Sequence, residues 1–283
     1  MTIVCLDLDR TLIYSAAALD LRVDPYPPPL RCVEMYRGGP QSYLTEAAAG
    51  LLAALQDRAT VVPTTTRTRG QLARVVLPGP PARFAIASNG GDLLVDGEPD
   101  PAWAEHIRRQ LRGCAPLVEV EAYLTATSGS FVLALRRAAD LFGYAVVDRA
   151  TVPAGWVEAL SAWCAARGWV VSLQGRKIYA VPRPLTKAAA AAEVRERAGG
   201  AGPLLAAGDS LLDADLLDVA DAAIRPAHGE LADRGYTCDH LSVTRATGVR
   251  AGEEVLAWMH ARVGEEKGSR RHGVLGPAEE QDR

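Results

Sequence analysis

The sequence predicts an α/β fold: a parallel sheet covered by helices on both faces, interrupted by an α+β block. Three observations predict it. Short apolar, β-branched runs alternate with stretches of helical spacing up to residue 91 and again from residue 183. The runs end abruptly in polar clusters, Asp7-Leu8-Asp9-Arg10-Thr11, Thr64-Thr65-Thr66-Arg67 and Gly208-Asp209-Ser210 with Asp213, while Thr186-Lys187 opens a helix. From about residue 100 to residue 182 the pattern changes to helices mixed with strand pairs, as a separate inserted unit would show.

The elements follow in order. Thr2 to Leu6 is continuously apolar and then polar, so it reads as a buried strand. Residues 14–44 fit no regular element well; they hold Pro25, Pro27, Pro28, Pro29 and Gly38-Gly39-Pro40 and read as a long loop, either a flap over a site or a plain insertion. Thr45 to Arg58 has helical Ala/Leu spacing with Thr45 as its cap. Ala59–Pro63 and Phe84–Ala87 read as strands, and Leu93 to Glu98 as a strand entering a tight turn.

In the middle block, a helix carries Trp103, Ile107 and Leu111, and strands are expected near 117–123, 130–135 and 144–147. A helix with Trp156, Leu160 and Trp163 precedes two strands, Trp169–Leu173 and Lys177–Val181, joined by a turn at Gln174-Gly175-Arg176. Thr186 caps a helix over 187–198 that stops at Gly199-Gly200. Leu204–Ala207 is a strand, Asp213–Ala220 a short helix, Ala222–Arg225 a further strand, and 252–263 the last helix. From Gly264 the chain is polar and charged and reads as a disordered tail.

Bulk composition narrows the function. At 283 residues and 48% hydrophobic content, the chain builds one large domain or two modest ones. Net charge is −3, from 31 basic and 34 acidic residues, which argues against nucleic acid as the partner. The 5 cysteines are scattered without a CxxC pair and read as free thiols of a reducing compartment, not a zinc site. No basic leader and no bilayer-length apolar stretch is present, so a cytoplasmic protein without a membrane partner is expected.

In a parallel sheet, ligands bind beyond the carboxyl ends of the strands, so the polar clusters fall on one rim. Asp7 and Asp9 alternate past a strand and suit two roles. One carboxylate attacks phosphorus; the other donates a proton to the leaving oxygen and then activates water. Asp209 and Asp213 lie four apart across a helix start, and converging carboxylates call for a hard cation such as Mg²⁺. Asp213 alternatively caps the helix. Asp215, Asp218 and Asp221 are assigned to a solvated helix face. Lys187 at a helix start suits phosphate or carboxylate charge, and Thr65 can donate to phosphate, although Thr64 and Thr66 compete for that role. Arg67 either holds substrate or caps the turn. Of the 5 histidines, only His228 is placed near the site.

These clusters, in this order, resemble the four motifs of the haloacid-dehalogenase (HAD) superfamily of phosphatases and phosphotransferases. Asp7 to Leu12 is similar to the first motif, Thr65 to the second, Lys187 to the third, and Gly208 to Asp213 to the fourth. The inserted block, Ser88-Asn89-Gly90-Gly91 and Lys177 to Val181 resemble the branch that includes sucrose-phosphate phosphatases and phosphomannomutases. The resemblance implies a Rossmann-like doubly wound core over residues 1–91 and 183–263 with an inserted α+β cap domain over 92–182. It also implies an aspartyl-phosphate mechanism. Asp7 would be nucleophile and Mg²⁺ ligand; Asp9 would be acid/base, with its backbone carbonyl on the metal. Thr65 and Lys187 would stabilise the transferring group, and Asp209 and Asp213 would hold the metal. Thr66, Arg67, Asn89, Gly90 and Arg10 are the candidates for substrate contact.

The chain departs from the pattern at several places. Arg10 stands where Gly is usual, Thr66 replaces Gly, and Leu212 replaces Asn. Residues 14–44 are longer than typical, and Pro226-Ala227-His228-Gly229 lacks the usual Asn. The expectation is a Mg²⁺-dependent phosphatase for a small phosphorylated metabolite, a sugar phosphate in the first instance. A phosphomannomutase-like phosphotransferase and a non-catalytic ligand-binding protein on the same scaffold are the alternatives.

Overall fold

In the computed structural model, which describes residues 1–21 and 24–269, β1 (Ile3–Leu6) runs into the Asp7 loop. A hairpin follows, β2 (Leu30–Tyr36) and β3 (Gly39–Thr45), then α1 (Glu46–Gln56), β4 (Thr60–Pro63) and the short α2 (Arg69–Leu72). β5 (Phe84–Ala87), β6 (Asp92–Val95) and β7 (Glu98–Pro99) form a meander that leads to α3 (Pro101–Gln110) and α4 (Leu117–Thr127). β8 (Val132–Ala138), β9 (Phe142–Val147), α5 (Trp156–Ala165), β10 (Trp169–Gln174) and β11 (Lys177–Pro182) make up the rest of the middle block. The chain then forms α6 (Lys187–Arg197), β12 (Leu204–Ala207), α7 (Ala214–Val219), β13 (Ala222–Arg225), α8 (Glu230–Asp233), β14 (Leu241–Val243) and α9 (Gly248–Ser269).

The central sheet is 5-stranded, in the order β14-β13-β12-β1-β4, with every pair parallel. Its residues alternate between two cores, as the period of two requires. Val4, Leu6, Leu205 and Ala207 pack against Leu52 of α1 and Val255 and Met259 of α9. Ile3, Cys5, Leu204 and Ala206 face the other way, toward Ala190 and Val194 of α6 and Leu216 of α7. Both faces are therefore covered, which explains why β1 and β12 are apolar throughout. This is the doubly wound α/β fold that the sequence predicts. A bridge between Thr64 and Ile86 ties the edge of this sheet to β5. The middle block carries its own 4-stranded antiparallel sheet, β10-β11-β9-β8.

Three local expectations are overturned. Residues 14–44 are not irregular throughout, because from Leu30 on β2 and β3 pair antiparallel through a two-residue turn at Arg37-Gly38 with φ of 51° and 78°. That left-handed pair is the twist a tight hairpin favours. Residues 117–123 are helix, not strand. Val120 and Leu124 lie one helical turn apart and are both buried, while Val118 is exposed, so the Val-Glu-Val-Glu alternation misled. The last helix continues to Ser269, into the segment expected to be disordered from Gly264; the rest of that expected tail, 270–283, lies outside the described residues. The 5 cysteines are free, though Cys32 is exposed. No described helix is long and apolar enough to cross a membrane.

Candidate active site

Because its strands are parallel, the central sheet delivers Leu6, Pro63 and Ala207 to the same rim. The chain past Leu6 turns sharply: the carbonyl of Leu8 accepts from the amides of Thr11, Leu12 and Ile13 at 3.3, 2.9 and 2.8 Å. Arg10 sits in this turn at φ 68°, the left-handed region that favours glycine. The conformation explains why glycine suits this position and what arginine costs there. His228 holds the turn. Its Nδ1 accepts from the Gly248 amide at 3.2 Å, so its Nε2 carries the proton and donates to the Arg10 carbonyl at 2.8 Å. Burial holds the His228 imidazole below its ordinary value, consistent with that neutral form. Tyr14 meets the same ring edge-on and donates to the Thr11 carbonyl.

Beside this turn lies a buried ionic cluster. Lys187 Nζ, fully buried, donates to Asp7 Oδ1 at 2.6 Å and to Asp213 Oδ1 at 2.5 Å. Thr186 places the lysine by capping α6, its hydroxyl accepting from the Ala189 amide at 3.1 Å. Asn89 and Gly90 brace that helix start from behind. Asn89 Nδ2 donates to the Leu185 carbonyl at 2.7 Å, and a Cβ on Gly90 would lie 2.0 Å from the Thr186 carbonyl oxygen. Both residues therefore face backbone rather than the cavity, and the structure does not bring them to a substrate position. Asp213 Oδ2 accepts from the Asp209 amide, the Ser210 amide and the Ser210 hydroxyl at 3.2, 2.9 and 2.7 Å. Asp213 thus holds the loop as well as the lysine. Gly208 is required for this close fold, since a Cβ there would meet Asp213 Cβ at 2.3 Å.

The electrostatics follow from burial. Asp7 is pushed up to about 7 by burial and by the Asp213 charge, against the pull of Lys187. Asp209 is held well above its ordinary value by burial and by Asp7 and Asp213, with Arg10 opposing at 3.3 Å. Lys187 stays cationic despite its burial because Asp213 and Asp7 hold it above its ordinary value. Oxygen atoms of Asp7, Asp209 and Asp213 lie within 4.8 Å of one another. An all-oxygen set of three converging carboxylates, two of which share a single lysine, fits a hard divalent cation such as Mg²⁺. The carboxylate of Asp9 is not in this group.

Asp9 turns instead to Arg67, which grips it at 2.7 and 2.8 Å and reaches the buried Glu34 of β2 at 2.8 Å. Burial works against the charged form of Asp9, but Arg67 prevails and holds it below the usual carboxylate range. The Asp9 side chain remains 44% exposed. Ser42 and Arg74 complete the cage around Glu34. Arg67 therefore orients Asp9 more directly than it caps a turn. Thr65 is buried, and its hydroxyl accepts from the Arg67 amide at 3.1 Å, which leaves its proton available to donate. Thr64 is committed to the Val62 carbonyl, and Thr66 lies against Tyr179.

A cavity of about 1080 Å³ opens onto Asp9, Arg10, Arg67 and Asp209, with Lys177 and Tyr179 of the antiparallel sheet among its other walls. The β10–β11 turn is fastened to the Asp209 loop: Gln174 Nε2 donates to Ser210 Oγ at 2.9 Å. Glu230, at the start of α8, accepts from the Ser172 hydroxyl and the Leu173 amide on β10 and from the Leu211 amide at 2.7, 3.1 and 3.0 Å. Sequence reasoning missed Glu34, Lys177 and Glu230. Only Lys177 carried a signal, next to the Gln174-Gly175-Arg176 turn. Asp218 and Asp221 are exposed as expected, but Asp218 accepts from Tyr236 Oη and Asp221 from the Leu204 amide; Asp215 is half-buried, not solvated.

No family model matches the sequence, and no curated protein matches it. Solved structures do. A sucrose-phosphatase from Synechocystis, solved with sucrose and phosphate, superposes with a TM-score of 0.58 at 13% identity over 92% of this chain and 98% of that one. A subclass IIB sugar phosphatase of the HAD superfamily gives 0.56 at 11% identity over 93% and 100% of the two chains. A haloacid dehalogenase-like hydrolase from B. subtilis gives 0.55 at 15% identity over 92% and 99%. At these identities the likeness is one of architecture, and it extends along nearly the whole chain: this protein has the fold of the haloacid-dehalogenase superfamily.

Proposed function

We propose that the protein is a Mg²⁺-dependent phosphatase that takes phosphate from a small phosphorylated metabolite through an aspartyl-phosphate on Asp7. The observation that carries this reading is Asp7 itself: a buried carboxylate held by Lys187, beside Asp209 and Asp213, and two residues from the cavity-facing Asp9. The sugar phosphatases that share the fold support it.

Asp7 attacks phosphorus with a carboxylate oxygen as the bond to the leaving oxygen breaks, and Asp9 gives that oxygen a proton. Asp9 then takes a proton from water, which attacks the phosphoaspartate and releases phosphate. Lys187 and the Thr65 hydroxyl hold oxygens of the transferring group. Asp7 and Asp209 would hold Mg²⁺ directly, with Asp213 adding charge from behind. The ion would neutralise phosphate charge and relieve carboxylate repulsion. Arg67 keeps Asp9 ionised at rest, the form a base needs. A phosphate in the cavity competes for Arg67, and Asp9, once freed, rises toward the value an acid needs.

Residues 92–182 act in this reading as a cap that selects the substrate, and the free cysteines suit a reducing compartment such as the cytoplasm. The test is phosphate release from a panel of phosphorylated sugars, nucleotides and small acids, with and without Mg²⁺. Asp7→Asn abolishes release, and Asp9→Asn lowers kcat by roughly 10²–10⁴-fold. Release that survives Asp7→Asn sinks the mechanism. Isomerised sugar phosphate without free phosphate replaces hydrolysis with phosphoryl transfer.

A further inference from the structure

We infer that the substrate carries a second anionic group, carboxylate or phosphate, bound by Arg176 and Lys177 in the cavity that Asp9 also lines. This rests on the phosphatase reading above and names the substrate class of that same site.

The charges lining the cavity do not balance within the protein. Asp9 and Arg67 neutralise each other and Arg10 faces Asp209, while Asp20, which accepts from the neutral Thr247 hydroxyl at 2.6 Å, keeps its charge, so the lining still carries more cations than carboxylates. Arg176 and Lys177, adjacent at the β10–β11 turn, remain. Neither makes a direct ion pair among the described residues, although Lys177 is held by Tyr179 and feels the Asp9 charge from farther off, and both line the cavity. Two neighbouring cations facing one cavity repel, and an anion placed between them removes that cost.

The lysine is also held in place. Its ammonium lies over the rings of Tyr144 and Tyr179, at 5.6 and 5.9 Å from their centroids. Gln174, on the same turn, is tied to Ser210. The turn is therefore fixed against the Asp209 loop, with its charges facing the same space as Asp9. The transferred phosphate does not need them, since Lys187, Thr65 and the metal carboxylates serve it. The cavity, at about 1080 Å³, is at the upper end of small-molecule sites and has room for a tail. An arginine beside an anchored lysine is suited to planar or tetrahedral oxyanions.

The experiment compares six-carbon compounds that share the 6-phosphate and differ at C1: glucose 6-phosphate, the open-chain 6-phosphogluconate and glucose 1,6-bisphosphate, with Mg²⁺. The inference expects kcat/KM about ten-fold or more higher for at least one charged-tail compound, by a charge-assisted contact. Which of the two is preferred separates a carboxylate from a second phosphate. Arg176→Gln and Lys177→Gln each shrink that ratio. An equal or better rate with glucose 6-phosphate overturns the inference, as does a preference that survives both substitutions. Calorimetry on Asp7→Asn protein with Mg²⁺ separates this result from a failure of the phosphatase reading. If nothing is hydrolysed but the charged tails bind more tightly and Arg176→Gln removes the difference, the phosphatase reading falls and the subsite stands. Equal binding, or none, overturns the subsite.

Discussion

Raising the pH destabilises the metal-free protein through Asp7, and Mg²⁺ reverses the effect. Burial and the Asp213 charge move Asp7 from an ordinary 3.8 to about 7 in the folded chain. A folded value above the unfolded one means that the native state binds the extra proton. The stabilisation is therefore complete below pH 4 and is lost as pH rises through 7. The loss is worth roughly 4 kcal/mol. At a few degrees of Tm per kcal/mol, that is on the order of 10 °C. Asp209, also raised, acts in the same direction. Asp9 and Glu34, held below their ordinary values, lose their contribution only under about pH 4, outside this window. His228, held low by burial, pulls the opposite way, its contribution being lost as pH falls below its ordinary value. The measured quantity is therefore the difference in stability between wild type and Asp7→Asn, in which His228 cancels. Thermal and urea unfolding in a chelator from pH 4 to 8 gives that difference. It moves against wild type as pH rises, and millimolar Mg²⁺ restores wild type more than the variant, because a bound cation favours the ionised carboxylates. A flat difference, or one that moves toward wild type, refutes the account of the cluster.

Lys187→Met leaves Asp7 and Asp213 buried without their shared cation and costs about 3–5 kcal/mol in unfolding experiments without metal. Gly90→Ala places a methyl group against the Thr186 carbonyl at a left-handed φ of 91°; it costs about 2 kcal/mol or more and lowers kcat by displacing Lys187, both read on purified protein. Glu230→Gln removes acceptor capacity shared by Ser172, Leu173 and Leu211. It costs about 1–3 kcal/mol and speeds hydrogen exchange at the Leu173 and Leu211 amides, whereas unchanged exchange there removes Glu230 as the fastening between β10 and the Asp209 loop.

Much of the candidate site's arrangement was legible because its signals are local. An apolar strand that stops at Asp7, a threonine that caps the helix of Lys187, and a glycine that folds the chain back on Asp213 are each written within a few residues. Asn89 and Gly90 were read as substrate contacts, since a sequence shows that a turn is special but not which side it faces. The β2–β3 hairpin went unread because Arg37 stands where Asn, Asp or Gly usually precedes the turn glycine and a proline-rich stretch comes before it. Glu34 on that hairpin looks like any strand carboxylate until Arg67 and Arg74 close on it.

By itself, then, the sequence determined the parallel α/β architecture, the order of the acidic and basic clusters, and their placement at strand ends. Backbone propensity, capping and hydrophobic period act over a few residues and leave their mark there. Only the tertiary structure decided that Lys187 is shared between Asp7 and Asp213, that Arg67 rather than the acidic group claims Asp9, and that the β10–β11 turn brings Arg176 and Lys177 over the cavity. Those outcomes depend on which distant side chains meet under burial, where one cation or one hydrogen bond decides the charge state of its neighbours.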